Sequence, residues 1–298
     1  MCRGTSEIRN SNSKMVESSR SMTVEEALRA GALILPAREG IPDSRREALW
    51  LLAAAWGVKE TTLRLHPERE LPVEVERRYG GWLERRVAGE PAHHLTGTCP
   101  FWGREFEISP AVLVPRPETE LVVETALELP LPNNARILDV GTGSGCIALT
   151  LAAERPGWRV SAVDRSSAAL EIARRNSNRL GAAVAFYRGD LATAVAPPWD
   201  LIVANLPYVP KDVLARLPLE VRHDPVAALD GGSDGLDLVR SLLSDLRRLL
   251  RPCGGAILEI GEGQADAVAE IASMTGLAVA RRVRDVGGVD RVIVLQPR

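Results

Sequence analysis

The stretch from Arg136 to Ala153 constrains this chain more than any other. Arg136-Ile137-Leu138-Asp139-Val140 has the apolar character of a buried strand, Gly141-Thr142-Gly143-Ser144-Gly145 is a loop, and Cys146 to Ala153 reads as a helix. Glycines let the backbone approach a ligand closely and adopt positive φ, while a helix start presents unpaired N–H groups. Strand, glycine loop and helix in this order predict an open α/β sheet with a cofactor lying across the turn.

The spacing narrows the choice of cofactor. A dinucleotide fingerprint reads G-x-G-x-x-G, whereas these glycines fall as G-x-G-x-G. The acidic residue expected about twenty positions on is Asp164, closing the strand-like Arg159 to Val163, where it is placed for ribose hydroxyls. Nicotinamide cofactors and S-adenosylmethionine both carry a ribose, so Asp164 does not separate them; the loop pattern favours S-adenosylmethionine. Asp190, in Gly189-Asp190-Leu191 after the strand-like Ala183 to Tyr187, is placed to accept from an adenine amino group. Taken singly, each of these residues is also what a turn or a helix cap uses.

A fourth strand-like run, Leu201-Ile202-Val203-Ala204, leads into Asn205-Leu206-Pro207-Tyr208. This tetrapeptide has the makings of a clamp for a planar amide or amine nitrogen. The Asn205 side-chain carbonyl and the Leu206 main-chain carbonyl each accept one hydrogen from an NH2 group. Pro207 keeps Leu206 out of the helical region, and the Tyr208 ring offers a flat face for stacking. Asn and Pro also mark ordinary turns. The glycine loop, Asp164, Asp190 and Asn205 nevertheless end four successive strands on one edge of the predicted sheet.

Further marks lie in Gly89-Glu90-Pro91, Leu95-Thr96-Gly97, Phe101 to Phe106, and Leu113-Val114-Pro115-Arg116-Pro117-Glu118-Thr119-Glu120. Beyond the tetrapeptide come Asp224-Pro225 with Ala228 to Gly232, Leu258-Glu259-Ile260-Gly261, and Asp285 to Arg291. With the glycine loop and Asn205 to Tyr208, these make residues 23 to 298 resemble the class I S-adenosylmethionine methyltransferases of the HemK/PrmC type, the release-factor glutamine N5-methyltransferases. The Pro-Arg-Pro-Glu-Thr-Glu segment is the most diagnostic, because generic methyltransferases share only the glycine loop and the acidic residue after the second strand. One departure matters: the family's clamp is Asn-Pro-Pro-Tyr, and here Leu206 replaces the first proline, as in the adenine dimethylases of ribosomal RNA. Leu206 keeps its carbonyl and Pro207 still restrains it; what is lost is the restraint on Asn205.

The resemblance implies a seven-stranded Rossmann-like sheet with a small N-terminal helical bundle. It implies methyl transfer from S-adenosylmethionine to the side-chain nitrogen of the glutamine in the Gly-Gly-Gln motif of class I peptide chain release factors. Gly141, Thr142, Gly143, Ser144, Gly145, Asp164, Asp190, Leu191 and Asn205 would hold the cofactor, and Asn205, Leu206, Pro207 and Tyr208 would carry the chemistry. Arg116 and Glu118 are expected near the methionine end of the cofactor or in the cleft wall, with a mutual or capping ion pair as the plainer reading. Two alternatives stay open: a glutamine on a protein of the large ribosomal subunit, and an adenine N6 position in RNA or DNA.

Charge speaks against the nucleic-acid alternative. Lys and Arg number 37 against 39 Asp and Glu, a formal charge of -2, so no global field draws in a polyanion. The four cysteines, Cys2, Cys99, Cys146 and Cys253, form no C-x-x-C pair, which fits neither a disulfide framework nor a zinc site. His93 and His94 lack a second ligand pair at a plausible spacing, so no metal is predicted. No apolar run approaches the roughly 20 residues that span a bilayer, and the chain is expected in the cytosol, away from membranes.

Residues 1–21 are serine-rich and aperiodic, predicted as a flexible tail, with Met15 or Met22 as possible alternative starts. Residues 22–88 read as a helical, substrate-recognising bundle. Thr23 to Glu26 and Ser44 to Glu47 match the capping box, Gly57 closes the second helix, a third surrounds Leu63, and a fourth carries Val75, Tyr79, Trp82 and Leu83 at helical spacing. Residues 89–112 are predicted as a hairpin linker and 113–298 as the methyltransferase domain. Its last third alternates helix, strand, helix, strand, strand.

Overall fold

The computed structural model describes residues 21–35 and 43–298. The predicted tail therefore lies outside the described residues, all but its last position. The chain divides into two compact units, Met1–Val87 and Ala88–Arg298.

The first unit carries α1 (Val24–Ile34), α2 (Ser44–Trp56), α3 (Glu60–Leu65) and α4 (Val73–Val87). Thr23 caps α1 by the reciprocal box with Glu26 that the sequence predicts. The second predicted box is corrected: Asp43 is the cap of α2, its carboxylate accepting from the N–H groups of Arg45 and Arg46. Glu47 is thereby free for another task, and it is buried in an ion pair with Arg86 of α4. A carboxylate one residue earlier outcompetes the serine hydroxyl because it accepts two bonds and opposes the positive end of the helix dipole. Tyr79 is buried, and its hydroxyl occupies the space a side chain at Gly31 would need.

The second unit opens with a short helix, α5 (Ala92–Thr96), which hairpin reasoning on the sequence omits, and continues into β1 (Thr98–Phe101) and β2 (Arg104–Glu107). Trp102 and Gly103 both have positive φ, 50° and 65°, the geometry of a two-residue hairpin turn. Phe101 and Phe106 meet edge to face at 5.9 Å and lie in the core beneath the large sheet. The hairpin is thus packed as part of the second unit.

That unit then runs α6 (Glu120–Glu128), β3 (Arg136–Val140), α7 (Cys146–Glu154), β4 (Arg159–Asp164), α8 (Ser167–Leu180), β5 (Ala185–Arg188), β6 (Trp199–Ala204), α9 (Asp237–Leu249), β7 (Leu250–Glu259), α10 (Ala265–Met274), β8 (Leu277–Arg284) and β9 (Asp290–Pro297). The seven strands β3 to β9 form one sheet in the order β5-β4-β3-β6-β7-β9-β8. The first five strands of that order are parallel and β9 is antiparallel to both its neighbours. This is the seven-stranded architecture that the resemblance implies. Alternate residues of the central strands feed two cores: Leu138, Val140, Ile202 and Ala204 pack with α9 and α10, and Ile137, Leu201, Val203 and Ile257 pack with α6 and α7.

The order contains one reversal that decides where a ligand can bind. Successive strands step outward from β3 to β4 to β5, and then β6 returns to the other side of β3. At such a switch point the loops beyond the carboxyl ends diverge and leave a crevice. Val140 pairs with Ala204 in register, so the glycine loop and Asn205 leave the sheet side by side.

Candidate active site

The crevice is an open cleft beyond the carboxyl ends of the strands, where ligands of open α/β sheets bind. Gly141, Thr142, Gly143 and Ser144 line it together with Asp164, Asp190, Leu191, Asn205, Leu206 and Pro207. Gly145 and Tyr208, also expected at the site, do not line it.

The glycine loop is built by its backbone. Gly141 has a φ of +77°, and a Cβ placed there would sit 3.3 Å from the Leu206 side chain, so both conformation and space require glycine. The N–H groups of Gly141 and Thr142 both donate to the Val163 carbonyl of the neighbouring strand, at 2.9 and 3.1 Å. Gly145 serves the helix instead, preceding α7 in the left-handed region against Leu149 and Ala173.

Two carboxylates brace this loop from different depths. Asp139 is fully buried on the α7 side of β3 and accepts a 2.6 Å hydrogen bond from the Thr142 hydroxyl. Its other oxygen has no partner among the described residues. Burial pushes its carboxyl up to about 7, against the pull of the Thr142 hydrogen bond. Asp164 is only half-buried, and both its oxygens are engaged: Oδ2 accepts from Gly143 N–H at 2.9 Å and Oδ1 from Ser166 N–H at 2.8 Å. Each oxygen keeps a second acceptor site, so a pair of ribose hydroxyls remains within its capacity. Asp190 is exposed at the far end of the cleft, and Leu191 beside it has a φ of 46°, which a branched side chain adopts only when its surroundings hold it there.

Asn176 was not expected at the site from its sequence. This buried α8 residue donates from Nδ2 to the carbonyls of Ser144 and Glu107, both at 2.9 Å, and accepts from Glu107 N–H at 2.7 Å. It ties the glycine loop to the hairpin.

On the opposite wall, Asn205 Nδ2 donates to the hydroxyl of Thr119 at 3.1 Å. Thr119, 2 % exposed, belongs to the Pro-Arg-Pro-Glu-Thr-Glu segment and itself lines the cleft. With Nδ2 committed to Thr119, Oδ1 is the Asn205 atom left to accept from a ligand. Leu206 is buried, with its side chain in the core on the α9 side. The loop 229–237 backs the tetrapeptide: a Cβ on Gly231 would come within 2.7 Å of the Pro207 carbonyl. Tyr208 turns away from the cleft. Its ring packs near Gly261 and its carbonyl accepts from Gln264. A stacking surface for a planar ligand is therefore not what this ring presents.

Arg116 pairs with neither Glu118 nor the cleft. Its guanidinium lies 2.6 Å from Asp224, which also accepts from Val114 N–H at 3.3 Å and has His94 Nε2 3.7 Å away. Burial raises the Asp224 carboxyl, with Arg116 opposing, and lowers the His94 imidazole. This buried knot binds segment 114–116 to the loop whose Pro225, Ala227 and Ala228 line the cleft. His93 meets the Thr98 carbonyl at 3.0 Å. Among the described residues, no group of three or more His, Cys, Asp or Glu side chains is arranged to hold a metal ion.

The residues present fit S-adenosylmethionine: a backbone cradle of positive-φ glycines, one half-buried carboxylate beside it, and a second, exposed carboxylate one strand further out. Comparison with known proteins agrees. Residues 26–97 match the PrmC N-terminal domain and residues 118–217 the methyltransferase small domain. Release factor glutamine methyltransferases of Geobacter sulfurreducens, Koribacter versatilis and Moorella thermoacetica are 40%, 41% and 42% identical to this chain. The matches cover 86%, 92% and 93% of this chain and 91%, 98% and 99% of the relatives. Among solved structures, a methyltransferase from Pyrococcus furiosus aligns with a TM-score of 0.51 at 20% identity, over 65% of this chain and 89% of its own. The catalytic domain of human Mettl16, in complex with a MAT2A 3′UTR hairpin, aligns with a TM-score of 0.54 at 18% identity, over 64% and 74%. These two share the fold. The chain belongs to the release factor glutamine methyltransferase family.

Proposed function

We propose that this protein methylates the side-chain amide nitrogen of the glutamine in the Gly-Gly-Gln motif of class I peptide chain release factors, with S-adenosylmethionine as methyl donor. The observation that carries this reading is the Asn205 to Thr119 hydrogen bond, which leaves Asn205 Oδ1 as an acceptor beside the glycine loop. An amide nitrogen is a poor nucleophile because its lone pair is delocalised into the carbonyl. Bound S-adenosylmethionine supplies an electrophilic sulfonium methyl. The chain's part is to place and polarise the amide: Asn205 Oδ1 and the Leu206 carbonyl take its two hydrogens, which aims the lone pair and stabilises positive charge growing on nitrogen. Such positioning within about 3–3.5 Å of the reacting atom is worth several orders of magnitude, and acceptors fixed in a cleft cost no reorganisation during the reaction. The proton leaves to water afterwards, so no dedicated base is needed.

The glycine loop, Thr142, Ser144, Asp164, Asp190 and Leu191 hold the cofactor in this reading, and the helical unit grips the protein substrate. No described helix is long and apolar enough to cross a membrane, and Cys99, Cys146 and Cys253 are free thiols, in keeping with a cytoplasmic enzyme. The test supplies labelled S-adenosylmethionine with a release factor, with its glutamine-to-alanine variant, or with total RNA. Label on the intact release factor alone is expected; label on RNA, or on the alanine variant, would overturn the proposal.

A further inference from the structure

The far end of the tetrapeptide is held by a residue that the proposed reaction does not use. Gln264 precedes α10, and its side-chain amide is bonded at both ends: Oε1 accepts from the Gly261 N–H at 2.8 Å, and Nε2 donates to the Tyr208 carbonyl at 3.0 Å. The packing around this bridge is tight. A Cβ on Gly261 would come within 2.9 Å of Gln264 Oε1 and 3.1 Å of the Tyr208 ring. One on Gly235 would come within 2.2 Å of the Tyr208 carbonyl oxygen and 2.8 Å of Gln264 Nε2. Both glycines leave room for the bridging amide.

The next residue is anchored by main chain. The Val209 N–H donates to the Leu229 carbonyl at 3.0 Å, and the Val209 carbonyl accepts from the Gly231 N–H at 2.9 Å. At the near end, Ala204 pairs in register with Val140 on one side and Leu258 on the other. Only Asn205, Leu206 and Pro207 run between these anchors, and the Pro207 ring fixes its own φ. A span this short takes its path from its ends. The direction of the Leu206 carbonyl therefore depends on where the Tyr208 carbonyl is held.

The two partners restrict what can stand at this position. One presents an N–H and the other a carbonyl, so the side chain must accept and donate at once. An ionised glutamate only accepts, a lysine only donates, and a methionine does neither to any useful extent. We infer that Gln264 is a positioning residue for methyl transfer, acting through the Tyr208 carbonyl to fix the Leu206 carbonyl as the second acceptor of the substrate amide. The inference rests on the proposed glutamine clamp and names what steadies its far end. Gln264, Gly261 and Tyr208 all stand outside the cleft lining, so the bridge serves the nucleophile and not the cofactor.

The experiment measures kcat and KM on a release factor for wild type, Gln264→Glu and Gln264→Met at about pH 8, where a glutamate is ionised. Calorimetry gives the affinity and stoichiometry of S-adenosylmethionine on the same preparations. Both variants are expected to keep wild-type stoichiometry and a cofactor Kd within about threefold, and to lose about 10- to 100-fold in kcat. In an Asn205→Ala background, Gln264→Glu should cost less than about threefold more, because an amide held at one point is no longer aimed, whichever acceptor is lost. A residue that only stabilises the fold would instead multiply its effect there or lower the stoichiometry. Gln264→Met puts no charge beside the Tyr208 carbonyl and decides the question if Gln264→Glu folds poorly. Wild-type kcat in both variants, parallel loss of cofactor binding, or fully multiplied effects in the double variant would overturn the inference. A wild-type protein that labels no release factor overturns the underlying proposal, and the inference with it.

Discussion

The two walls of the cleft are built by different means. The cofactor wall is made of backbone: three glycines at positive φ, N–H groups bonded to Val163, and the Gly143 N–H held by Asp164. The acceptor wall is made of side chains from distant segments, with Thr119 and Asn205 86 residues apart. A backbone cradle tolerates many neighbours but few changes of its own residues. A side-chain pair can be broken while the cradle stays intact, so the two functions they carry, holding the cofactor and aiming the nucleophile, are separable by mutation.

Changes to the cradle are expected to have the largest effect. Gly141→Val forces a β-branched residue to a φ of +77° and pushes it against Leu206. Backbone strain of about 1–3 kcal/mol corresponds to roughly 10- to 100-fold weaker cofactor binding, with transfer falling alongside; calorimetric Kd and kcat/KM measured together check this. Unchanged cofactor affinity would mean that the loop does not shape the cofactor wall. The smallest effect is expected at the point where this chain departs from its family. Leu206→Pro keeps the carbonyl and stiffens Asn205, so transfer should be held or raised within about threefold. Loss of the buried leucine should cost about 1–2 kcal/mol of stability, read from denaturant unfolding. A shift of methylation to adenine in either protein would break the comparison, because the acceptor wall would then be reading a base.

The same contrast explains what was legible in the sequence. The glycine loop and Asp164 are local patterns whose spacing fixes their geometry, and the fold's switch point follows from the order of elements. Thr119 lies in a segment that marks the family, Leu113 to Glu120, yet nothing local says that it meets Asn205. Asn176 reads as an ordinary helix residue until its side chain is found between Ser144 and Glu107. Tyr208 misleads in the other direction: its flat ring suggests stacking, but the ring packs against Gly261 and its carbonyl is held by Gln264, outside the cleft lining. Asp43 outcompetes Ser44 as a helix cap for a similar reason, because a capping motif read alone ignores a better acceptor one residue earlier.

The separation of the two walls is tested most directly at Asn205. Asn205→Ala removes the amide that Thr119 holds and leaves every glycine-loop contact described above in place. Methyl transfer to a release factor is expected to fall about 100- to 1000-fold, while the S-adenosylmethionine Kd, measured on the same preparation, stays within about threefold of wild type. Transfer and cofactor affinity falling together, or transfer left unchanged, would contradict it.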